Sequence, residues 1–242
     1  AAAKLRRAQE AAESARPYAS RMERILGSLA SSVGGVEGTP KMLSGTGKNN
    51  NYLLVAFTAD RGLCGGFNSS IVRKVRVTVQ QLVSEGKAVK VIFVGRKAHD
   101  VLKRELNEKI LESITGIGRK GVQYVEAAGV SEKIIRLFEE SSFDVCTIIF
   151  NRFKSAMTQI VTQQQLIPFV PDDVGFKEDN LHKAGHIFEP EEGEILAELL
   201  PQNLTVQIFQ AMLESSASEH GARMAAMDSA TRNAGDMIDG LT

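Results

Sequence analysis

Three groups of residues have types and spacing that could do chemistry. Asp60-Arg-Gly-Leu-Cys-Gly-Gly-Phe-Asn68 is glycine-rich and joins an apolar run to a helical pattern, as nucleotide-binding loops do. Its glycines fall at 62, 65 and 66, which is not the G-x-G-x-x-G spacing, and no lysine follows to reach a β-phosphate. A tight turn with close backbone approach is the simpler reading; an α/β enzyme using residues 60–68 is the alternative. Gly45-Thr-Gly-Lys-Asn49 fails as a phosphate loop: Met42 stands five before Gly47, Asn49 replaces the required Ser or Thr, and no strand precedes it. His182 and His186 are four apart, as zinc ligands on a helix would be. The residues between them are Lys-Ala-Gly, with no glutamate for a general base, and Gly185 argues for a loop. His99 reads as solvated, and His220, beside Glu219, as a hydrogen-bonded structural histidine. Cys64 and Cys146 sit far apart in apolar surroundings, as buried thiols of a reducing compartment do. No catalytic, nucleotide or metal set is expected on this chain.

The elements that would position these residues fall into three parts: a helix over 1–32, an α/β domain over 52–200 and a second helix over 203–242. In the first helix Ala1, Leu5, Ala8, Ala12, Ala15, Ala19, Met22, Leu26 and Leu29 step by four and three, and Pro17 predicts a bend. In the last, Leu213, Ala217, His220, Met224, Met227, Thr231, Ala234, Ile238 and Leu241 do the same, with Pro201 ending the segment before and Asn203 as N-cap. Two matching seams predict an antiparallel coiled coil. Their seam residues are mostly small, so the pair buries little by itself and surrounding chains are expected to hold it.

Between the helices, Ser31–Asn51 reads as a loop, and Tyr52–Ala59, Lys90–Gly95 and Asp144–Phe150 as strands buried on both faces. Ser69–Glu85 and Arg96–Asn107 are helical, Ile110–Gly121 is irregular, and Ser131 opens a short helix. Ala156–Leu166 alternates like an edge strand, Phe169–Pro190 is a loop, and Glu191–Leu200 a short helix. The fold class is α/β: a small Rossmann-like sheet domain, largely parallel, inserted between the two helices of a coiled coil.

The composition narrows the function. Lys+Arg and Asp+Glu balance at 29 each, and aromatics are 6% with no Trp, which argues against nucleic-acid binding. The longest purely apolar run is the six residues Tyr52–Phe57, so no segment can insert in a membrane as a helix. The balance hides a polarity. Ala1–Arg24 holds six basic residues against three acids, while Leu204–Thr242 holds five acids against two arginines, which suits the two ends to lie together.

Six stretches together resemble the gamma subunit of F-type ATP synthase. They are Thr58–Asn68, Ala1-Ala-Ala-Lys-Leu-Arg-Arg7, Ala15-Arg-Pro-Tyr18, Ile149-Phe-Asn-Arg-Phe153, Ser218-Glu-His-Gly-Ala-Arg-Met-Ala-Ala-Met-Asp228 and Ala234-Gly-Asp-Met-Ile-Asp239. The resemblance spans the chain in family order. Family members continue before Ala1 and beyond Thr242, and thiol control is not expected, since the insertion with a cysteine pair found in redox-regulated versions is missing. The resemblance implies a non-catalytic rotor shaft. It would turn inside the alpha and beta subunits of the catalytic hexamer, its foot resting on the epsilon subunit and the c-ring, on an energy-coupling membrane. ATP, ADP and Mg²⁺ would sit on partner subunits, and proton flow would drive rotation. By the same resemblance Lys4, Arg6, Arg7 and Arg223 face acidic loops of the beta subunits, and Val206, Ile208 and Phe209 lie low on the shaft near epsilon. Leu5, Met22, Leu26, Leu213, Met224, Met227 and Ile238 form the seam. The alternative to a rotor is a non-rotary coiled-coil adaptor.

Overall fold

Alternation along β1 (Asn51–Phe57) decides the architecture, because successive side chains enter opposite layers. Leu53, Val55 and Phe57 pack with α5 (Tyr124–Glu139) and α6 (Glu192–Asp239) through Ile134, Phe138, Leu204 and Ile208. Leu54 and Ala56 pack on the other face with α3 (Phe67–Ser84) and α4 (Arg96–Leu106) through Ile71, Val75, Val79 and Leu102. The computed structural model describes residues 2–33, 39–170 and 192–240.

The remaining strands are β2 (Ala88–Val94), β3 (Ile110–Ile114), β4 (Val145–Phe153) and β5 (Gln159–Ile167). The sheet order is β3-β2-β1-β4-β5, with the first four strands parallel and β5 antiparallel at the edge. A helix follows each of β1, β2 and β3, and helices cover both faces, as expected for this fold class. Gly95, at the end of β2, is required by geometry. Its φ is +104°, and a Cβ there would lie 1.9 Å from the Thr58 carbonyl oxygen.

Four sequence expectations are corrected. Residues 110–114, read as irregular, form β3 at the parallel edge. Helix α5 begins at Tyr124 rather than Ser131, because Glu126 accepts the Gln123 amide at 2.9 Å and caps its first turn. Helix α1 (Ala2–Val33) runs past Leu29 into the stretch read as a loop, and Lys41–Ser44 forms a short helical turn, α2.

Pro201 does not end a helix, and Asn203 is not an N-cap: α6 runs unbroken for 48 residues through both. An interior proline costs about 3 kcal/mol, so packing must offset it. Below Pro201, Leu196 and Leu200 pack on Met22, Leu26 and Phe169; above it, Leu204 and Ile208 pack under the sheet. The expected loop over 169–190, with His182 and His186, lies outside the described residues beyond Val170.

The joint between the helices and the sheet

Helix α6 is buried almost all round from Asn203 to Ser218, because α1 lies on one side of it and the sheet on the other. Helix α1 instead shows a narrow buried line: Leu5, Ala12, Ala19, Met22 and Leu26. The two run antiparallel. The Gln210 side chain donates to the Ala12 carbonyl at 3.2 Å, and that of Gln207 to the Ala19 carbonyl at 3.3 Å.

One turn beyond Gln210 on α6 lies Glu214, its side chain 2% exposed. The Arg16 guanidinium grips it in bidentate fashion, Nε to Oε1 at 2.6 Å and Nη2 to Oε2 at 2.9 Å. Arg16 Nη2 also donates to the Phe153 carbonyl at 2.8 Å, while the Phe153 amide donates to Glu214 Oε2 at 2.9 Å. Gln210 Nε2 donates to Glu214 Oε1 at 2.8 Å. One carboxylate thus binds α1, α6 and the last residue of β4 together. The hydrogen bond to Glu214 raises the Arg16 pKa further above its already high value, with partial burial opposing it.

Around this centre the contacts are close and directional. The Ser218 hydroxyl donates to the Asn151 carbonyl at 3.0 Å, and Asn151 Nδ2 donates to the Phe67 carbonyl at 3.0 Å. A Cβ on Gly221 would come within 3.0 Å of Ala156 Cα and 3.1 Å of the Phe153 ring, so only glycine lets α6 approach the β4–β5 turn this closely. The next residue, Ala222, packs with Ala59 and with Cys64 and Phe67 of the 60–68 loop.

That loop is filled by its own chain. Asp60 accepts the Arg96 amide at 3.1 Å and the Gly116 amide at 2.7 Å, so a carboxylate already sits at the N-terminus of α4. Asn68 accepts the Ala59 amide at 2.9 Å and donates to Cys64 Sγ at 3.1 Å. The Cys64 thiol is buried, and burial raises its pKa. These residues tie the loop to α3 and place the chain's own carboxylate at the N-terminus of α4. Cys146 is fully buried inside β4, and burial pushes its thiol far up as well.

The residues singled out from sequence divide. Leu5, Met22, Leu26 and Leu213 are buried, and Met224 packs at the edge of the same cluster. Met227 and Ile238 are 54% and 64% exposed, and every residue from 227 to 240 is exposed. Val206 and Ile208 are corrected too: buried in the protein's own core, they offer no surface to a partner. Phe209 is half-buried, its ring edge-on to Tyr124 at 5.5 Å. Arg223 pairs with Glu219 at 2.7 Å and reaches the Gly62 carbonyl at 3.4 Å. Lys4, Arg6 and Arg7 are exposed, Arg6 pairing with Glu10 at 3.1 Å. His220 is half-buried, and burial lowers its pKa against the pull of Glu219.

Comparison with known proteins places this arrangement. The sequence model of the ATP synthase family matches residues 1–242. The ATP synthase gamma chain of Paramagnetospirillum magneticum is 55% identical over 241 residues, covering 100% of this chain and 82% of that protein. The chain belongs to the ATP synthase gamma-chain family. Its counterpart in Rhodospirillum rubrum is 52% identical over 247 residues, covering 100% and 83%. The cryo-EM central stalk and c-ring of Tetrahymena thermophila mitochondrial ATP synthase contains a chain of similar fold. The TM-score is 0.60 at 25% identity, over 91% of this chain and 99% of that one. A rotor chain of Euglena gracilis mitochondrial ATP synthase matches in fold with TM-score 0.60 at 20% identity, over 99% and 95%.

Four of the six stretches that carry the gamma-chain resemblance meet at the joint. Arg16 belongs to Ala15–Tyr18, Phe153 ends Ile149–Phe153, and Ser218 and Gly221 open Ser218–Asp228, which also carries Ala222 against the 60–68 loop. Glu214, Gln210 and Asn151 carry the polar core of the joint and were not singled out as sites from the sequence. The legible signal was an acid at an otherwise apolar stretch, Ala211-Met-Leu-Glu214, with an arginine inside the opposing seam helix.

Proposed function

We propose that this chain is the central-stalk rotor of an F-type ATP synthase, a non-catalytic subunit that couples proton flow to ATP synthesis or hydrolysis by turning. The observation that carries the reading is one helix of 48 residues, roughly 70 Å long at 1.5 Å per residue, keyed to the sheet at its middle and bare at its end. Such a part can transmit rotation and position. The α/β domain is the foot, set towards the epsilon subunit and the c-ring, and the helical pair enters the hexamer of alpha and beta subunits. Nucleotide and Mg²⁺ are held by those partners. Lys4, Arg6, Arg7 and Arg223 form a basic belt along the helical pair that meets acidic beta-subunit loops. The two sequence relatives above, more than half identical, are bacterial, which supports the cytoplasmic face of the inner membrane over the matrix side of a mitochondrial one as the setting; no described helix is long and apolar enough to cross a membrane.

Co-purification tests this. A tagged chain expressed in its own cells should bring down alpha, beta, epsilon and c subunits with an ATPase that is lost when the chain is omitted. Recovery with partners that hydrolyse no ATP would replace the rotor by an adaptor, and tight ATP binding by the chain alone would restore the enzyme reading.

A further inference from the structure

We propose that the Arg16–Glu214–Phe153 junction is the torque joint of the rotor, with Glu214 as the positioning residue that stops the helical pair from twisting against the foot. The inference rests on the rotor reading and names the place within it where torque crosses between domains. The apolar contacts around the junction are Leu5, Ala12, Leu213, Ala217 and Phe153. Burial of such groups holds surfaces together but is non-directional, so smooth alanine faces can slide and roll at little cost. Hydrogen bonds of fixed geometry resist those motions. Amide hydrogen bonds from Gln207, Gln210 and Gln164 cross at neighbouring levels, and the charged, forked ones gather at Glu214. Glu214 takes both arms of the Arg16 fork and the Phe153 amide, and the same fork returns to the Phe153 carbonyl. Rotation of α6 about its own axis would swing Glu214 away from β4, and sliding of α1 would pull Arg16 out of register with both. Gly221 against Ala156, two turns further along α6, adds a steric stop at the same sheet end. Ion pairs elsewhere on the two helices, Arg6–Glu10, Arg223–Glu219 and Arg232–Asp228, each lie within one helix and cannot oppose twist between them.

The experiment uses the assembled ATPase held by its hexamer, with a probe fixed to the foot and its angular fluctuations recorded. Glu214→Gln keeps the shape of the side chain but leaves too few acceptor positions for both the fork and the Phe153 amide. Its torsional stiffness should fall by roughly half, in proportion to the directional bonds lost. Arg16→Lys keeps the charge and loses the fork, and it should soften the rotor as well. Arg6→Gln, which breaks an exposed pair within α1, should leave stiffness at the wild-type value. If Glu214→Gln fails to enter the complex, Arg16→Lys carries the test. A lowered melting temperature with wild-type stiffness in Arg16→Lys would overturn the proposal, since that is what a merely structural pair predicts. Failure of the wild-type chain to assemble or rotate would instead sink the rotor reading, and the two failures are thereby distinct.

Discussion

Asp144 is a buried carboxylate that acts at the opposite end of β1 from the 60–68 loop. It accepts hydrogen bonds from the Thr46 hydroxyl at 2.7 Å and the Asn50 and Asn51 amides at 3.0 and 2.9 Å, which tie the segment before β1 to the start of β4. The Thr46 bond, ahead of the opposing effect of burial, holds its pKa below the ordinary carboxylate value. Its ionised form is therefore favoured in the folded state, and the unfolded state binds the proton first. That contribution to stability is complete above the unfolded pKa of about 3.9 and is lost as pH falls through the lower folded value. Asp144→Asn should flatten the acid limb of a stability-versus-pH curve and leave its neutral part lower by about 1 kcal/mol for the weakened hydrogen bonds. An acid limb identical to wild type would remove Asp144 from that role. Asp144 does not announce itself in the sequence, and Glu214 does so only through Arg16 in the opposing helix, because a lone acid beside an apolar run looks the same whether solvent or a backbone amide faces it.

At the scale of elements, legibility followed the strength of the local pattern. β1, β2 and β4 are apolar on both faces and bounded by glycine or polar residues, so their existence needed no tertiary knowledge. β3, with Glu112 and Ser113 in a five-residue edge strand, has no such run and is held by pairing with β2. Pro201 misled for a related reason. A rule about local hydrogen bonds predicts a break there, but packing on both flanks of α6 outweighs the missing bond. The two prolines differ in what replaces them. Pro201 is half-buried between two clusters, whereas Pro17 is exposed on α1 and makes no core contact to lose. Pro17→Ala restores a backbone donor and removes the clash with the preceding turn. It should raise stability by about 1–3 kcal/mol, read as a higher denaturation midpoint; an unchanged or lower midpoint would mean that the proline's rigidity in the unfolded chain outweighs the helix term.

For the whole molecule the question is how a neutral chain is steered and gripped by others. The opposite charges of its two ends predict mutual attraction, and Arg16–Glu214, deep in the joint, is an ion pair between them. The acids and bases higher on the pair are engaged along their own helices, Arg6 with Glu10 and Arg223 with Glu219. Lys4 and Arg7 are exposed and have no ion-pair partner among the described residues. Charges so placed add little to this chain's own stability, and they are the ones free to act on a surrounding ring. Reversing both, Lys4→Glu with Arg7→Glu, should leave the melting of the isolated chain within about 0.5 kcal/mol of wild type. It should slow ATP turnover in the assembled enzyme, because an approaching acidic loop then meets repulsion at each pass. The defect should shrink as salt rises and the screening length falls below about 10 Å. Turnover equal to wild type at low salt would strip the basic belt of its part in coupling and leave contact with the hexamer to the apolar side chains of the exposed α6 end.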